Sequence, residues 1–587
     1  METVRMVKCQ IYLVLSIIMA EGVAWESDVS LAVRKYALQN SLEYEGKGQS
    51  GSVLGRLLSE REDLRSKAKQ LMELVDLEVI RANRIALESG IEAVRLELEG
   101  IDPAAVQRER HRKNEGLREL PGDTSEVVLR FAPNPNGPLS IGHSRGVVIN
   151  SKYAEEYKGK MVLRFDDTDT KVKPPLIEAY AWIEEEYEWL SGKPADIIVK
   201  ASERMPIYLK FARKMIRENI GYVCRCKAEE FRKFREVKIS CPCRDTSTEE
   251  NLHQWEMMVE GKIEEGDAVV RVRTDMSLPN PALRDWPALR IQHSPHPLVG
   301  DRYKVWPLLD FQSAIEDHEQ GVTHIIRGKD LMDSTRKQTI LYDNFGWTYP
   351  ETLYWGRVKV NEFGGFSTSS IRKSIEEGKY LDWNDPRLPT IKALRGRGFE
   401  AQSIREFWSD IGLTQKDISI SMKTIESFNS SIIDSKCERR AFVAAPLELN
   451  LDSEGRVDDL EIPKHPDKKI IGNRKWEIGG SILIQSSDLD SEHLRLKEFA
   501  DVEIRGKNVS IQSHDRTDSR KIIHWIPANM GKRCVLATPI GDDLIETIGF
   551  IEDFELDVGV VYQFERLGFA RVESIDSEQV RISWLHN

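Results

Sequence analysis

The chain lacks any excess of positive charge. Its 587 residues carry 84 Lys and Arg against 96 Asp and Glu, a net charge of -12, so no whole-protein field draws in a polyanion. A nucleic-acid partner would have to be gripped by local basic surface. Two clusters offer one: Arg108, Arg110, Arg112, Lys113 and Arg118, then Arg395 and Arg397 in a Gly-rich segment; the plain alternative for each is a solvated face. Long apolar runs are scarce as well. Near a terminus only Ile11-Tyr-Leu-Val-Leu-Ser-Ile-Ile18 is sustained, and it is too short to span a bilayer. It has the length of a signal-peptide core, but Met19-Ala-Glu-Gly follows at once. We read 1–18 as a mis-assigned start extension, Met19 as the start, and the remainder as a cytoplasmic protein with no membrane partner. Cysteine is sparse too. There are seven, with Cys9, Cys437 and Cys534 scattered, which excludes a secreted disulfide framework and points to a reducing compartment.

The other four cysteines form one tight constellation, Cys224-Arg-Cys226 and Cys241-Pro-Cys243, with fourteen residues between the pairs. Four thiolates at that spacing can close a tetrahedral zinc site, stiffened by Pro242. Such a zinc is structural, because four sulfurs leave no open position.

Organisation follows from periodicity. Residues 19–118 are helical, with apolar positions three and four apart in Leu31–Leu38, Val53–Leu58 and Leu64–Leu74 and a charged helix through Glu97. From about Glu126 to Tyr349 strands alternate with helices, which implies a doubly wound parallel sheet with ligands at the carboxyl ends of its strands. That region divides into 119–223 and 302–350 around an insertion at 224–301, and 351–424 is a connector. After Thr424 short alternating runs separated by Gly, Asp, Ser and Asn predict an all-β region of barrel type over 425–587.

The most informative stretch is Arg130-Phe-Ala-Pro-Asn-Pro-Asn-Gly-Pro-Leu-Ser-Ile-Gly-His143. A short apolar strand, Glu126–Ala132, runs into a turn where Pro133, Pro135 and Pro138 forbid regular structure. Gly137 and Gly142 let backbone approach a ligand closely. A helix then starts near His143, its free N–H groups and positive dipole end aimed at the turn. The junction is suited to phosphate. Taken alone, without the surrounding motif, His143 reads as a helix-capping residue.

These residues resemble the first signature of the class I aminoacyl-tRNA synthetases, in the glutamyl branch of archaeal and eukaryotic form. The family's His-Ile-Gly-His stands here as Ser140-Ile141-Gly142-His143. The resemblance implies a Rossmann-like catalytic domain and ATP, with Mg2+, held by Pro133, Asn134, Gly142, His143, Ser367 and Ser369. It implies that Asp166, in Arg164-Phe-Asp-Asp-Thr-Asp169, takes the α-amino group of the substrate. Three carboxylates so close repel unless a cation shares them; a helix-capping acidic loop is the alternative. Arg327, closing the strand Thr323–Arg327, matches the position that reads a glutamate side chain, and Arg130 matches a second arginine; each could instead be a structural ion pair. Leu309 and Ser313 stand in the same pocket where bacterial relatives carry Tyr and Asn.

The second signature, a mobile lysine-bearing loop, corresponds to Gly365-Phe-Ser-Thr-Ser-Ser-Ile-Arg-Lys373, more than two hundred residues after the first and behind a strand Tyr354–Val360. Relatives end this Ser-Thr-Ser with Lys. Here Ser370 takes that place after Ser369, with Arg372 and Lys373 as substitute cations. By resemblance the insertion grips the tRNA acceptor end, Tyr36–Asn40 belongs to an archaeal-type appendage, and Ile523–Ile526 with Val561–Val572 belong to anticodon-binding barrels. The implied activity is glutamate–tRNA ligation by a cytoplasmic monomer on L-glutamate and tRNA(Glu), with tRNA(Gln) a second candidate. Alternatives are a glutaminyl-tRNA ligase and a weakened descendant that binds tRNA or a partner without charging it.

Overall fold

The computed structural model describes residues 25–587 apart from 26, 45, 103–104, 106–116, 364–366 and 469–470. The run Ile11–Ile18, Met19, Cys9, the cluster Arg108 to Lys113, and Gly365 with Phe366 lie outside the described residues. None of the described helices is long and apolar enough to cross a membrane. The chain divides into two compact units, 1–113 and 114–587.

The first unit packs α1 (Ser27–Glu43), α2 (Ser50–Glu60), α3 (Ala68–Ser89) and α4 (Ile91–Ile101) around Val33, Ala37, Leu71, Val75, Val94 and Leu98. The expected charged helix through Glu97 is two helices. Gly90, at φ +83°, breaks it, since an L side chain rarely adopts that conformation. Leu64 sits in a 3-10 turn, Glu62–Lys67, ahead of α3. Tyr36–Asn40 lies on α1, where Asn40 Oδ1 accepts from the Gln49 N–H at 2.7 Å and holds the entry to α2.

In the second unit β1 (Val128–Phe131), α5 (Ile141–Glu156), β2 (Lys160–Phe165), α6 (Ile177–Ser191), β3 (Ile197–Lys200) and α7 (Met205–Arg217) follow one another, and β1, β2 and β3 pair in parallel. An antiparallel sheet of β4 (Gly221–Cys224), β5 (Val269–Val272), β6 (Pro287–Ile291) and β7 (Val305–Pro307) comes next, with α8 (Ala228–Glu236) and α9 (Thr248–Val259) between its first two strands. The inserted sheet therefore begins before residue 224 and ends after 301. Then come α10 (Leu309–Glu319), β8 (His324–Gly328), α11 (Met332–Phe345) and β9 (Glu351–Trp355), with β8 parallel to β9. The Thr323 N–H donates to the Val128 carbonyl at 3.0 Å and joins this pair to β1. Alternation sorts the sheet's residues by face. Leu129, Phe131, Met161, Leu163 and Phe165 enter the core beneath α5 and α6, while Arg130 and Arg164 turn toward α10.

The expected strand Tyr354–Val360 is broken. β9 ends at Trp355, and β10 (Val358–Val360) pairs instead with β11 (Ile418–Ile420). Gly356 is the cause, because a Cβ there would lie 1.9 Å from the Lys416 carbonyl oxygen. Three helices fill the connector: α12 (Thr368–Glu376), α13 (Ile391–Arg397) and α14 (Ala401–Ile411). The last helix, α15 (Met422–Ile433), straddles residue 424, so the all-β region starts at Arg439.

That region holds two seven-stranded sheets among the described residues. In one, the edge strands are Arg439–Arg440 and Phe442–Ala444, separated in the chain by Ala441 alone; in the other they are Ile522–Ile523 and Trp525–Pro527, separated by His524 alone. Edges that adjoin in sequence must adjoin in space, so both sheets roll into barrels, as expected. Each has its own apolar core. The strand Val561–Phe564 starts after Gly559, at φ +90°.

Candidate active site

The turn after β1 is held from both sides. Asp166 N–H donates to the Pro133 carbonyl at 3.0 Å, and Asn134 Nδ2 donates to the Asp166 carbonyl at 2.9 Å, stapling the ends of β1 and β2 together. Beyond it, Ile141 N–H donates to the Pro389 carbonyl and Ile391 N–H to that of Leu139, which fixes the start of α5 against the connector. Ser140 is the N-cap. Its Oγ accepts from the His143 N–H at 3.4 Å while its own N–H donates to His143 Nδ1 at 3.2 Å, a reciprocal capping box. Nδ1 is thus an acceptor, so the ring proton lies on Nε2. Desolvation, with the Lys173 ammonium second, lowers the His143 pKa to about 4, so the ring is neutral at pH 7 although the residue is exposed at the mouth of the turn.

The two glycines differ. A Cβ on Gly142 would meet only Ser140 Oγ, at 3.7 Å, so the backbone there is open to a ligand. Gly137 instead packs against protein: a Cβ would lie 2.6 Å from Thr368 Cγ2 and 2.9 Å from the Trp383 ring. Its small size seats α12 on the turn rather than admitting a ligand, contrary to the sequence expectation.

The three carboxylates are drawn apart. Asp167 is buried and accepts from Tyr180 OH at 2.6 Å and from Ser202 N–H and Oγ, each at 2.7 Å. Asp169 pairs with Arg290 at 2.9 Å. Only Asp166 lines the cavity at the end of the sheet, where Arg164 Nε donates to it at 2.8 Å and Gln312 Nε2 at 2.5 Å.

That cavity, of about 230 Å³, brings together Arg130, Asp166, Leu309, Ser313 and Arg327, all five residues the sequence placed there. Leu309 is 47% exposed at its mouth, whereas Ser313 is buried within donor reach of Arg164 Nη2, 3.3 Å away. Two guanidiniums meet one carboxylate behind it. Arg164 donates to Asp317 at 2.6 Å, and Arg130 reaches the same oxygen at 3.4 Å. Burial pushes the Asp317 carboxyl up, but the charges of Arg164, Arg130 and Arg327 outweigh it and hold the pKa below its ordinary value. Burial lowers the pKa of Arg130, while Asp166 and Asp317 overcome the same effect at Arg164 and raise it.

Arg327 has no carboxylate within 4 Å among the described residues. Its Nη2 donates to Gln338 Oε1 at 2.9 Å and to Tyr349 OH at 3.0 Å, and its Nε is buried without a partner. A buried guanidinium in that state costs free energy until an anion supplies acceptors. The pocket is built for a carboxylate. The sequence reading missed Arg164, Asp317, Gln338 and Tyr349. A signal existed for Arg164, since Leu-Arg-Phe occurs in both β1 and β2.

The second signature is helical rather than a loop from Thr368 onward. Ser367 is the N-cap of α12 and accepts from the Ser370 N–H at 3.1 Å, so Ser369 and Ser370 form the exposed first turn. Arg372 pairs with Glu376 at 3.1 Å and Lys373 with Glu377 at 3.6 Å, both on their own helix. Arg397 leaves the expected basic surface altogether. It is 6% exposed and donates to the Leu585 carbonyl at 2.5 Å, and burial lowers its pKa to about 10. Arg395 stays exposed, 3.8 Å from Glu185, as does Arg118.

In the inserted sheet the four thiols of Cys224, Cys226, Cys241 and Cys243 lie within 4.8 Å of one another. Cys224 and Cys241 are 3.9 Å apart and Cys226 and Cys243 3.7 Å. A zinc tetrahedron with bonds of about 2.3 Å needs sulfurs about 3.8 Å apart. The donor set fits the metal.

Residues 126–435 match the family model described as tRNA synthetases class I (E and Q), catalytic domain, and 437–519 match its anti-codon binding domain. Among curated proteins the chain is 43% identical to the Glutamate–tRNA ligase of Methanosarcina mazei, over 94% of this chain and 98% of that one. The same name belongs to a relative in Archaeoglobus fulgidus at 43% identity, with 94% and 98% covered, and to one in Pyrococcus furiosus at 40%, with 95% and 100% covered.

Proposed function

The chain belongs to the class I tRNA synthetases of the E and Q branch, and we infer that it is a glutamate–tRNA ligase. The observation that carries glutamate rather than glutamine is the guanidinium of Arg327, which has no carboxylate within 4 Å among the described residues, beside Arg130, whose Asp317 partner is shared with Arg164, in the cavity at the strand ends. A carboxylate side chain satisfies both guanidiniums, whereas a carboxamide leaves charge unpaired in a buried site.

The reaction asks more of position and charge than of covalent chemistry. An oxygen of the α-carboxylate attacks the α-phosphorus of ATP and pyrophosphate leaves; a ribose hydroxyl of tRNA then attacks the mixed anhydride and AMP leaves. Arg327 and Arg130 hold the side-chain carboxylate, and Asp166, with Ser313 beside it, takes the ammonium group. Neutral His143 offers Nε2–H to the phosphates beside the Gly142 N–H and the open backbone there, at the start of α5. Pro133 and Asn134 shape the nucleotide's side of the turn, and Ser367, Ser369 and Ser370 present hydroxyls and the α12 N-terminus from across it. Mg2+ accompanies ATP as part of the substrate. Cys224, Cys226, Cys241 and Cys243 would hold one structural zinc ion that ties together the insertion, which faces the acceptor end, while the barrels read the anticodon. The enzyme acts as a cytoplasmic monomer on tRNA(Glu), with tRNA(Gln) as a second substrate to be tested.

The deciding experiment charges purified tRNA(Glu) and tRNA(Gln) separately with labelled glutamate, and follows ATP–pyrophosphate exchange with tRNA present. Labelled glutamate on tRNA(Glu) is expected. Charging with glutamine instead, or tRNA binding with no exchange, would overturn the reading.

A further inference from the structure

Arg327 owes its direction to two neutral side chains rather than to an acid. Gln338, 1% exposed on α11, points its amide oxygen at Arg327 because its nitrogen donates to the Asp310 carbonyl of α10 at 3.3 Å. That contact settles the orientation of the amide. Tyr349 OH lies 2.7 Å from the same Gln338 oxygen and 3.0 Å from Arg327 Nη2, and its ring rests edge-on against Tyr342 at 4.9 Å. The three groups form a closed triangle. It occupies Nη2 and leaves Nε and Nη1 without protein acceptors among the described residues. The guanidinium is held in place without being neutralised.

An acid at either position would hold Arg327 equally well but would consume its charge. A neutral acceptor supplies direction and leaves the charge for the ligand. We propose that Gln338 and Tyr349 are specificity-setting positioning residues, which keep Arg327 aimed and unpaired so that an acidic side chain is chosen over its amide. The proposal rests on the glutamate-ligase reading. It does not require either residue to touch the substrate.

The test uses the full chain with ATP and tRNA(Glu), measuring kcat and KM for glutamate, KM for ATP, and Ki for glutamine as a competitor. Wild type is assayed first. Failure to charge glutamate there would end the ligase reading itself, separately from this proposal. Gln338→Glu is isosteric and pairs with Arg327, so KM for glutamate should rise roughly tenfold to a hundredfold, the worth of a charge-assisted contact. The Ki for glutamine should hold or fall, KM for ATP should stay put, and the melting temperature should not drop. A structural role alone would weaken both amino acids alike. Tyr349→Phe keeps the ring and removes one acceptor, and a rise of a few fold in KM for glutamate with kcat little changed is expected. Gln338→Glu charging glutamate at the wild-type KM, or losing glutamate and glutamine in equal proportion, overturns the proposal. If Gln338→Glu does not fold, Tyr349→Phe decides alone, and a wild-type KM there overturns it.

Discussion

Ser140 and His143 bond each other in both directions, 3.4 Å from the His143 N–H to Ser140 Oγ and 3.2 Å from the Ser140 N–H to His143 Nδ1. The residue that replaces the family's first histidine therefore caps α5 and orients the second. Ser140→Ala removes the cap and should cost about 1 kcal/mol of stability. It should also slow ATP–pyrophosphate exchange by freeing the ring. Unchanged melting and unchanged exchange together would remove both roles.

With a pKa of about 4, His143 is neutral throughout the range where a free histidine titrates. The activation rate should carry no His143-dependent limb between pH 6 and 8. A limb near pH 6.5 that disappears in His143→Asn would contradict this.

Arg327→Ala removes a guanidinium that has no carboxylate within 4 Å among the described residues. Transition-state binding of glutamate should weaken by about 3–5 kcal/mol, read as kcat/KM. Near wild-type efficiency would take glutamate recognition away from this residue.

One zinc should copurify per chain. Cys241→Ser should loosen the inserted sheet and raise KM for tRNA more than KM for ATP. Metal-free protein with full aminoacylation would end the zinc assignment.

Arg372 and Lys373 are paired on their own helix, so either must leave a glutamate to reach a phosphate. Alanine at the one that does should lower kcat of activation by about a hundredfold with little change in binding. Ser370→Lys, on the first turn of α12, should raise the activation rate or leave it. If both alanine variants exchange pyrophosphate at the wild-type rate, neither stands in for the family lysine.

Glu186 lies buried beneath the phosphate turn, accepting from the Leu139 N–H at 2.7 Å, and desolvation raises its pKa to about 8 against an unfolded value near 4.5. Between those values the folded chain keeps a proton that the unfolded chain has released, so this residue makes stability fall as pH rises across the window. Glu186→Gln keeps the acceptor and should flatten that part of the profile. Parallel melting curves for the two proteins from pH 5 to 8 would show that Glu186 carries no such linkage.

The legible parts were local. Strand, proline turn and helix start were readable around Pro133 because each depends on neighbours in the chain, and the four cysteines declared themselves by spacing. Arg130, Asp166, Ser313 and Arg327 could be placed by motif, and they do share one cavity. What stayed hidden depends on distant packing. Asp317 looks like any helical acid until α10 lies over the sheet, and Gln338 until α11 meets β8. Gly356 breaks a good strand pattern only because the Lys416 carbonyl occupies the space of a side chain. Arg397 reads as surface charge until the strand Gln579–His586 covers it.

The two barrels are nested in the chain. The one spanning 446–527 is complete within itself, whereas the other joins Arg439–Ala444 to strands that lie beyond residue 530. On a ribosome the inner barrel can close while the outer one waits with its first strands unpaired. Sealing the outer barrel must wait for the final strands of the chain, and pairing so distant in sequence is slow. It is also the event that brings His586 to Asn429, 2.9 Å away, and Leu585 to Arg397. A nascent chain that stopped short of Gln579 would carry its catalytic residues intact and lack the final clasp on the connector helices.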